Sequence, residues 1–148
     1  MARIQIMVGS EMGTAESVAA TAKDLIDDAG HTAMVNPLPE AADITDNPQD
    51  IILICTSNTG AGDLPGNIQP LYLELTRDFP SIAGRRYGVI NLGDSSYATF
   101  AEAGRAIDEA MGDIGAERVG EPLVLDASSG DDPHEQVAAW LPEWLELL

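Results

Sequence analysis

Three short stretches hold most of the residues suited to binding a ligand. The first reads Gly9-Ser10-Glu11-Met12-Gly13-Thr14-Ala15-Glu16 and leads from an apolar run into a helical pattern. Backbone N–H groups at such a junction attract an anion, above all a phosphate. Ser10 and Thr14 add hydroxyl donors. The stretch has neither the Gly-Lys-Ser/Thr of a nucleotide P-loop nor the G-x-G-x-x-G dinucleotide fingerprint, so triphosphate hydrolysis and dinucleotide binding lack support. An ordinary capped helix start would use the same residues. The second stretch is Thr56-Ser57-Asn58-Thr59-Gly60-Ala61-Gly62-Asp63, and the third is Gly93-Asp94-Ser95-Ser96-Tyr97-Ala98-Thr99-Phe100. In the third, Tyr97 can lie flat on a planar ligand ring, a contact worth roughly 0.5–1.5 kcal/mol beyond area burial. It can equally pack over its own loop. Phe100 reads as core of the helix that follows.

Elsewhere the chemistry is sparse. Cys55 is the single cysteine, so an internal disulfide and a cysteine-based metal cluster are both excluded. Its apolar neighbours make it a small core residue. His31 and His134 are too few for a His-rich metal site and read as solvent-facing.

The elements around these stretches follow from periodicity. Ile4, Ile6 and Val8 form a strand ending at Gly9. Ala15, Val18, Ala19, Ala22, Leu25, Ile26 and Ala29 recur at helical spacing, with Gly30 placed as a C′ glycine. Residues 31–35 read as a second strand and residues 36–50 as mostly loop. Ile51-Ile52-Leu53-Ile54-Cys55 is apolar without alternation, as in a strand buried on both faces. Ile68, Leu71, Tyr72, Leu75 and Phe79 mark a helix with Pro70 in its first turn. Residues 87–92 form a fourth strand. Phe100, Ala103, Ile107, Ala110, Met111 and Ile114 mark the next helix. Residues 122–126 form a fifth strand, and Val137, Leu141, Trp144, Leu145 and Leu148 a last helix. Of Trp140 and Trp144, four apart, at least one belongs to the core. Repeated strand–helix alternation predicts a doubly wound α/β sheet, in which ligands sit beyond the carboxyl ends of the strands. All three polar stretches fall there.

A chain of 148 residues with 45% hydrophobic content is one domain's worth, residues 1–148. Seven Lys and Arg against 25 Asp and Glu leave a net charge of −18. That argues against nucleic acid and anionic membranes as partners. It favours a basic partner protein, although salt tolerance or plain solubility accounts for acidity as well. No signal peptide or long apolar segment opens the chain, so a cytoplasmic location is expected.

Taken together and in order, Ser10-Glu11-Met12-Gly13-Thr14-Ala15-Glu16, Ser57-Asn58-Thr59-Gly60-Ala61-Gly62-Asp63 and Leu92-Gly93-Asp94-Ser95-Ser96-Tyr97-x-x-Phe100 resemble the three FMN loops of flavodoxins. The resemblance spans nearly the whole chain and includes Trp140-Leu141-x-x-Trp144-Leu145. Without a long insertion in its last strand, the chain looks like a short-chain flavodoxin. Gly60-Ala61-Gly62-Asp63-Leu64-Pro65 followed by Asn67 looks most like the MioC type.

The resemblance implies a five-stranded parallel sheet in the order 2-1-3-4-5 with helices on both faces. It implies that Ser10, Glu11, Met12, Gly13, Thr14 and Ala15 wrap the FMN phosphate. Ser57, Asn58, Thr59, Gly60, Ala61 and Gly62 would cover one side of the isoalloxazine ring, with the Gly60 peptide at flavin N5. Leu92, Gly93, Asp94, Ser96 and Tyr97 would grip the pyrimidine edge, Tyr97 stacking on the outer face. Three departures weaken this grip. Met12 and Ala15 replace hydroxyl residues, Glu11 is charged where a hydroxyl residue is usual, and Thr59 stands where many flavodoxins carry an inner-face aromatic. The implied activity is single-electron transfer from an NADPH-dependent flavodoxin/ferredoxin reductase to an acceptor enzyme. It is the activity of a carrier rather than an enzyme. The alternatives are a small FMN-dependent quinone or nitro reductase and a flavin-free signalling domain on the same fold. Asp63, Asp94, Asp126, Asp131, Asp132 and Glu135 flank the implied flavin edge and are expected to form a negative docking collar.

Overall fold

The computed structural model describes residues 2–10, 13–57, 64–93 and 102–148. Its centre is β3 (Ile51–Ser57), paired in parallel with β1 (Arg3–Gly9) on one side and β4 (Arg86–Gly93) on the other. β2 (Thr32–Asn36) flanks β1, and β5 (Glu117–Arg118) flanks β4, so the order is β2-β1-β3-β4-β5. β6 (Leu123–Asp126) also pairs with β4. The expected order 2-1-3-4-5 holds, with the fifth position filled by two pieces.

Successive strand residues face opposite layers, which is why the central runs do not alternate in hydrophobicity. Ile4, Ile6, Val8, Leu53 and Cys55 pack against α1 (Thr14–Asp28) and α5 (Pro133–Glu146). Met7, Ile52, Ile54 and Val89 pack against α3 (Gln69–Arg77) and α4 (Glu102–Asp113). Trp144 is buried, and Trp140 stacks on it with ring centroids 5.6 Å apart and planes 15° from parallel. The buried Trp144 satisfies the expectation of a core tryptophan on this helix.

One sequence-based expectation needs correction, and two gain an element that sequence reading did not foresee. Residues 36–50 are mostly loop, as expected, but include a short helix, α2 (Ala41–Thr45). Its start is set by polar contacts: Asp43 Oδ2 accepts from the Glu40 N–H at 2.9 Å and from Asn36 Nδ2 at 2.8 Å. The helical stripe does not reach Phe79. α3 ends at Arg77, and Phe79 lies outside it, 67% exposed, with φ of 46°. Pro80 disfavours the right-handed helical conformation for the residue before it. Finally, the strand expected over residues 122–126 is present as β6, and a two-residue piece that sequence reading did not expect, β5, precedes it, with a break between Arg118 and Leu123. Pro122 has no N–H to give a ladder, and Gly120 turns with φ of 69°. The indole N–H groups of Trp144 and Trp140 donate to the carbonyls of Val119 (3.1 Å) and Glu121 (3.2 Å), holding this interruption against α5.

Candidate functional site

The sheet order reverses between β1 and β3, and a ligand crevice is expected at the carboxyl ends of those strands. The register brings the strand ends level. Gly9 stands opposite Thr56, Ser57 opposite Leu92, and Gly93 opposite Asp126. Ser10, Gly13, Thr14, Ala15, Ser57, Leu92 and Gly93 therefore gather at one end of the sheet. The readings made for Glu11, Met12, Asn58, Thr59, Gly60, Ala61, Gly62, Asp94, Ser96 and Tyr97 lie outside the described residues, as do those for Phe100, Asp63 and the ring contacts.

α1 begins here. Its N-cap is Gly13, with φ of 83° and no side-chain cap. A residue with a Cβ is strained in that left-handed conformation, and glycine is not. The N–H groups of a helix's first turn have no intrahelical acceptor. At this end they belong to Thr14, Ala15 and Glu16. The Thr14 side chain is exposed. Ser10 Oγ accepts from the Gly13 N–H at 2.9 Å, which leaves its own O–H to donate elsewhere. Ala15 differs from its expected role in one respect: its side chain is fully buried in the core, so only its backbone faces the site.

This donor set suits a phosphate. No Lys or Arg occurs from residue 4 to residue 22. The negative charge would be met by peptide dipoles and hydroxyls, as helix N-termini do. The first-turn Glu16 disfavours a high density of negative charge, which places the load on the donors themselves.

The roots of the site are dry and tightly packed. Thr56 is fully buried and donates to the Ser57 carbonyl at 2.9 Å. Ser57 Oγ donates to the Gly9 carbonyl at 3.3 Å. A Cβ on Gly9 would come within 2.3 Å of Thr56 Oγ1 and 2.7 Å of Ile68 Cγ2, so only glycine fits. Cys55 is buried, with Sγ 3.5 Å from the Ala15 carbonyl, and burial pushes its thiol up to about 12. It is a core residue, as read from sequence, and not a nucleophile.

Asn67 is the residue that motif reading undervalued. Its Oδ1 accepts from the Ser10 N–H at 2.9 Å, and its Nδ2 donates to the carbonyls of Val8 (2.7 Å) and Pro37 (2.8 Å). Its place just after the Gly-rich stretch and just before α3 was the available signal.

On the far side of α1, His134 Nδ1 lies 2.6 Å from Thr21 Oγ1, and Asp132 caps α5 by accepting from the His134 N–H at 2.9 Å. His134 is thus engaged between α1 and α5, and His31 accepts from the Ala2 N–H at 2.9 Å. Both are partly buried rather than simply solvent-facing. Asp126 continues β6 into a short turn, accepting from the Ser128 N–H at 3.0 Å. Asp126 thus ends β6, and Asp131, Asp132 and Glu135 follow it.

Among the described residues, no helix is long and apolar enough to cross a membrane. The profile of the flavodoxin family matches residues 6–140. The chain is 38% identical to flavodoxin YqcA of Escherichia coli K12 over 148 residues, covering 100% of this chain and 99% of that protein. It is 32% identical to protein MioC of the same strain, with the same coverage of each chain. Among solved structures, a cysteine-to-alanine mutant of a flavodoxin from Pseudomonas aeruginosa superposes with a TM-score of 0.90. It is 39% identical, and the match covers 99% of this chain and 98% of that one.

Proposed function

The chain belongs to the flavodoxin family, and from that premise we propose that it carries electrons singly from an NADPH-dependent reductase to an acceptor redox enzyme in the cytoplasm. Flavodoxins are FMN-binding electron carriers rather than enzymes. The observation that supports this reading best is the level set of strand ends beside a helix whose first N–H groups stand without a side-chain cap.

When bound, FMN supplies reversible one-electron chemistry, which the surrounding protein tunes. In this reading the Ser10 hydroxyl donates to the phosphate while its oxygen braces the Gly13 N–H. Thr14 donates through both its hydroxyl and its peptide, and Ala15 through its peptide alone. Ser57, Leu92 and Gly93 start the two walls of the ring site, which Asn58 to Gly62 and Asp94, Ser96 and Tyr97 complete. The acids from Asp126 to Glu135 belong to a negative collar that steers a basic face of the reductase. The whole chain, residues 1–148, acts as a single FMN domain.

The test begins with the visible spectrum of the purified protein. Denaturation and chromatography should then release FMN in a one-to-one ratio. Recovery of FAD, or an apoprotein that takes up no FMN, would refute the reading. NADPH oxidation should require an added reductase. Oxidation without one would make the chain an enzyme.

A further inference from the structure

We infer that Asn67 is a positioning residue for the FMN phosphate: it fixes the phosphate loop by tying Ser10 to the exit of the strand-three loop. The inference rests on the FMN reading given above.

The geometry starts with the amide. Asn67 Oδ1 faces one N–H, that of Ser10, and Nδ2 faces two carbonyls, those of Val8 and Pro37. The reverse orientation would set an oxygen against two oxygens, so the assignment is forced by the partners. One side chain thereby joins three separate segments: the end of β1, the segment after β2, and the turn that enters α3. A relay continues from it. Asn67 holds the Ser10 backbone, and Ser10 Oγ accepts from the Gly13 N–H, the N-cap of α1. Two successive hydrogen bonds thus set where the first-turn donors of α1 sit relative to the entry of α3.

Packing makes this joint stiff. Ile68, next to Asn67, presses on Gly9, next to Ser10, with no room for a Cβ between them. The backbones can approach because Gly9 is bare, and Asn67 uses that approach to reach Val8 and Ser10. A neutral amide suits the place. A Lys or Arg has no acceptor for the Ser10 N–H. An Asp would keep that acceptor but set carboxylate oxygen against two carbonyls and add negative charge beside the phosphate.

Apoprotein of the wild type, Asn67→Ala and Asn67→Asp is titrated with FMN and with riboflavin, which lacks the phosphate. The 31P resonance of bound FMN is recorded for each, and thermal unfolding verifies that each variant folds. FMN affinity should fall about tenfold in Asn67→Ala, as one or two lost hydrogen bonds would give, and further in Asn67→Asp. The 31P resonance should move in both, and riboflavin affinity should change far less. Should Asn67→Ala not fold, the Asn67→Asp resonance decides alone. An unmoved 31P resonance, or equal losses for FMN and riboflavin, overturns the inference. A wild-type chain that binds no FMN overturns the underlying reading instead.

Discussion

Two side chains each clamp three backbone groups, at opposite ends of the sheet and by different chemistry. Asn67, at the carboxyl end, uses a neutral amide for one N–H and two carbonyls. Arg85, just before β4 at the amino end, donates to the carbonyls of Ile44, Asn47 and Asp50, each at 2.7 Å. Nearby, the buried Asp50 carboxylate takes Arg3 Nε at 3.0 Å and Gln5 Nε2 at 3.3 Å. The amino end is closed by charge: a guanidinium saturates carbonyls, and cation and carboxylate offset each other. At the carboxyl end the first turn of α1 has no side-chain cap among the described residues, and a neutral clamp holds Ser10. The amino end thus spends charged side chains on closing the fold, and the carboxyl end is the one to which the proposed function assigns the ligand.

Mutation separates the two ends. Arg85→Ala strands three carbonyls and removes a cation near Asp50. It should cost about 3–4 kcal/mol in urea unfolding, since charge-assisted bonds count for roughly 1.5–3 kcal/mol each and are not additive. FMN affinity of the folded fraction should stay within about twofold, and a larger change would couple the two ends. Arg85→Lys should recover only part of the loss, because an ammonium cannot reproduce the planar fork.

Ser10→Ala should show the opposite profile. FMN binding should weaken by about 1.5–3 kcal/mol, the worth of a bond to a charged group, while stability of the apoprotein moves by less than about 1 kcal/mol. Isothermal titration and thermal unfolding measure the two. Equal losses in both would show that the site end also carries the fold.

Cys55 marks where the dry root of the site begins. Its thiol is raised to about 12 by burial, whereas an unfolded thiol titrates near pH 8.5. The native state therefore retains a proton that the unfolded state loses. The stability linked to this thiol is intact below about pH 8.5 and declines as pH rises toward 12, by at most about 1.4 kcal/mol per pH unit. Cys55→Ala should flatten that slope in denaturation series run from pH 8 to pH 11. An unchanged slope would mean that water reaches the strand end.

The smallest effect is expected at the rim. Asp131→Asn with Asp132→Asn keeps a competent cap at α5, since Asn caps as well as Asp. Reduction by a partner reductase should slow several-fold at low salt and lose part of its salt dependence, because steering is screened over about 8–10 Å at 0.1–0.15 M. Stopped-flow reduction at several ionic strengths measures it. A wild-type rate indifferent to salt would return the −18 charge to solubility alone.

What could be read in advance followed local rules. The run from Ile51 to Cys55 announces a strand buried on both faces, and Gly30 closes α1 where its spacing says it should, with φ of 91°. The junction of β1 and α1 was legible because the apolar run ends at Gly9 and the helical spacing starts at Ala15. α2 escaped because Ala41 and Ile44 are its only buried residues, too few for a periodic signal, and its start depends on Asn36 and Asp43. Phe79 misled because its spacing from Leu75 fits a helix, although Pro80 ends the pattern. Asn67 and Arg85 act through partners 30 or more residues away, and no local pattern encodes such contacts.

The interrupted edge bears on how the chain behaves in a crowded solution. Strand edges offer rows of unpaired N–H and C=O groups on which a second chain can build a continuous sheet. Here the edge beyond β4 consists of a two-residue piece and a four-residue piece, with Pro122 between them and two indoles hydrogen-bonded to carbonyls of the gap. An incoming strand would find no uninterrupted template there. The break that spoils the regularity of the fifth strand also makes this side of the molecule a poor seed for aggregation.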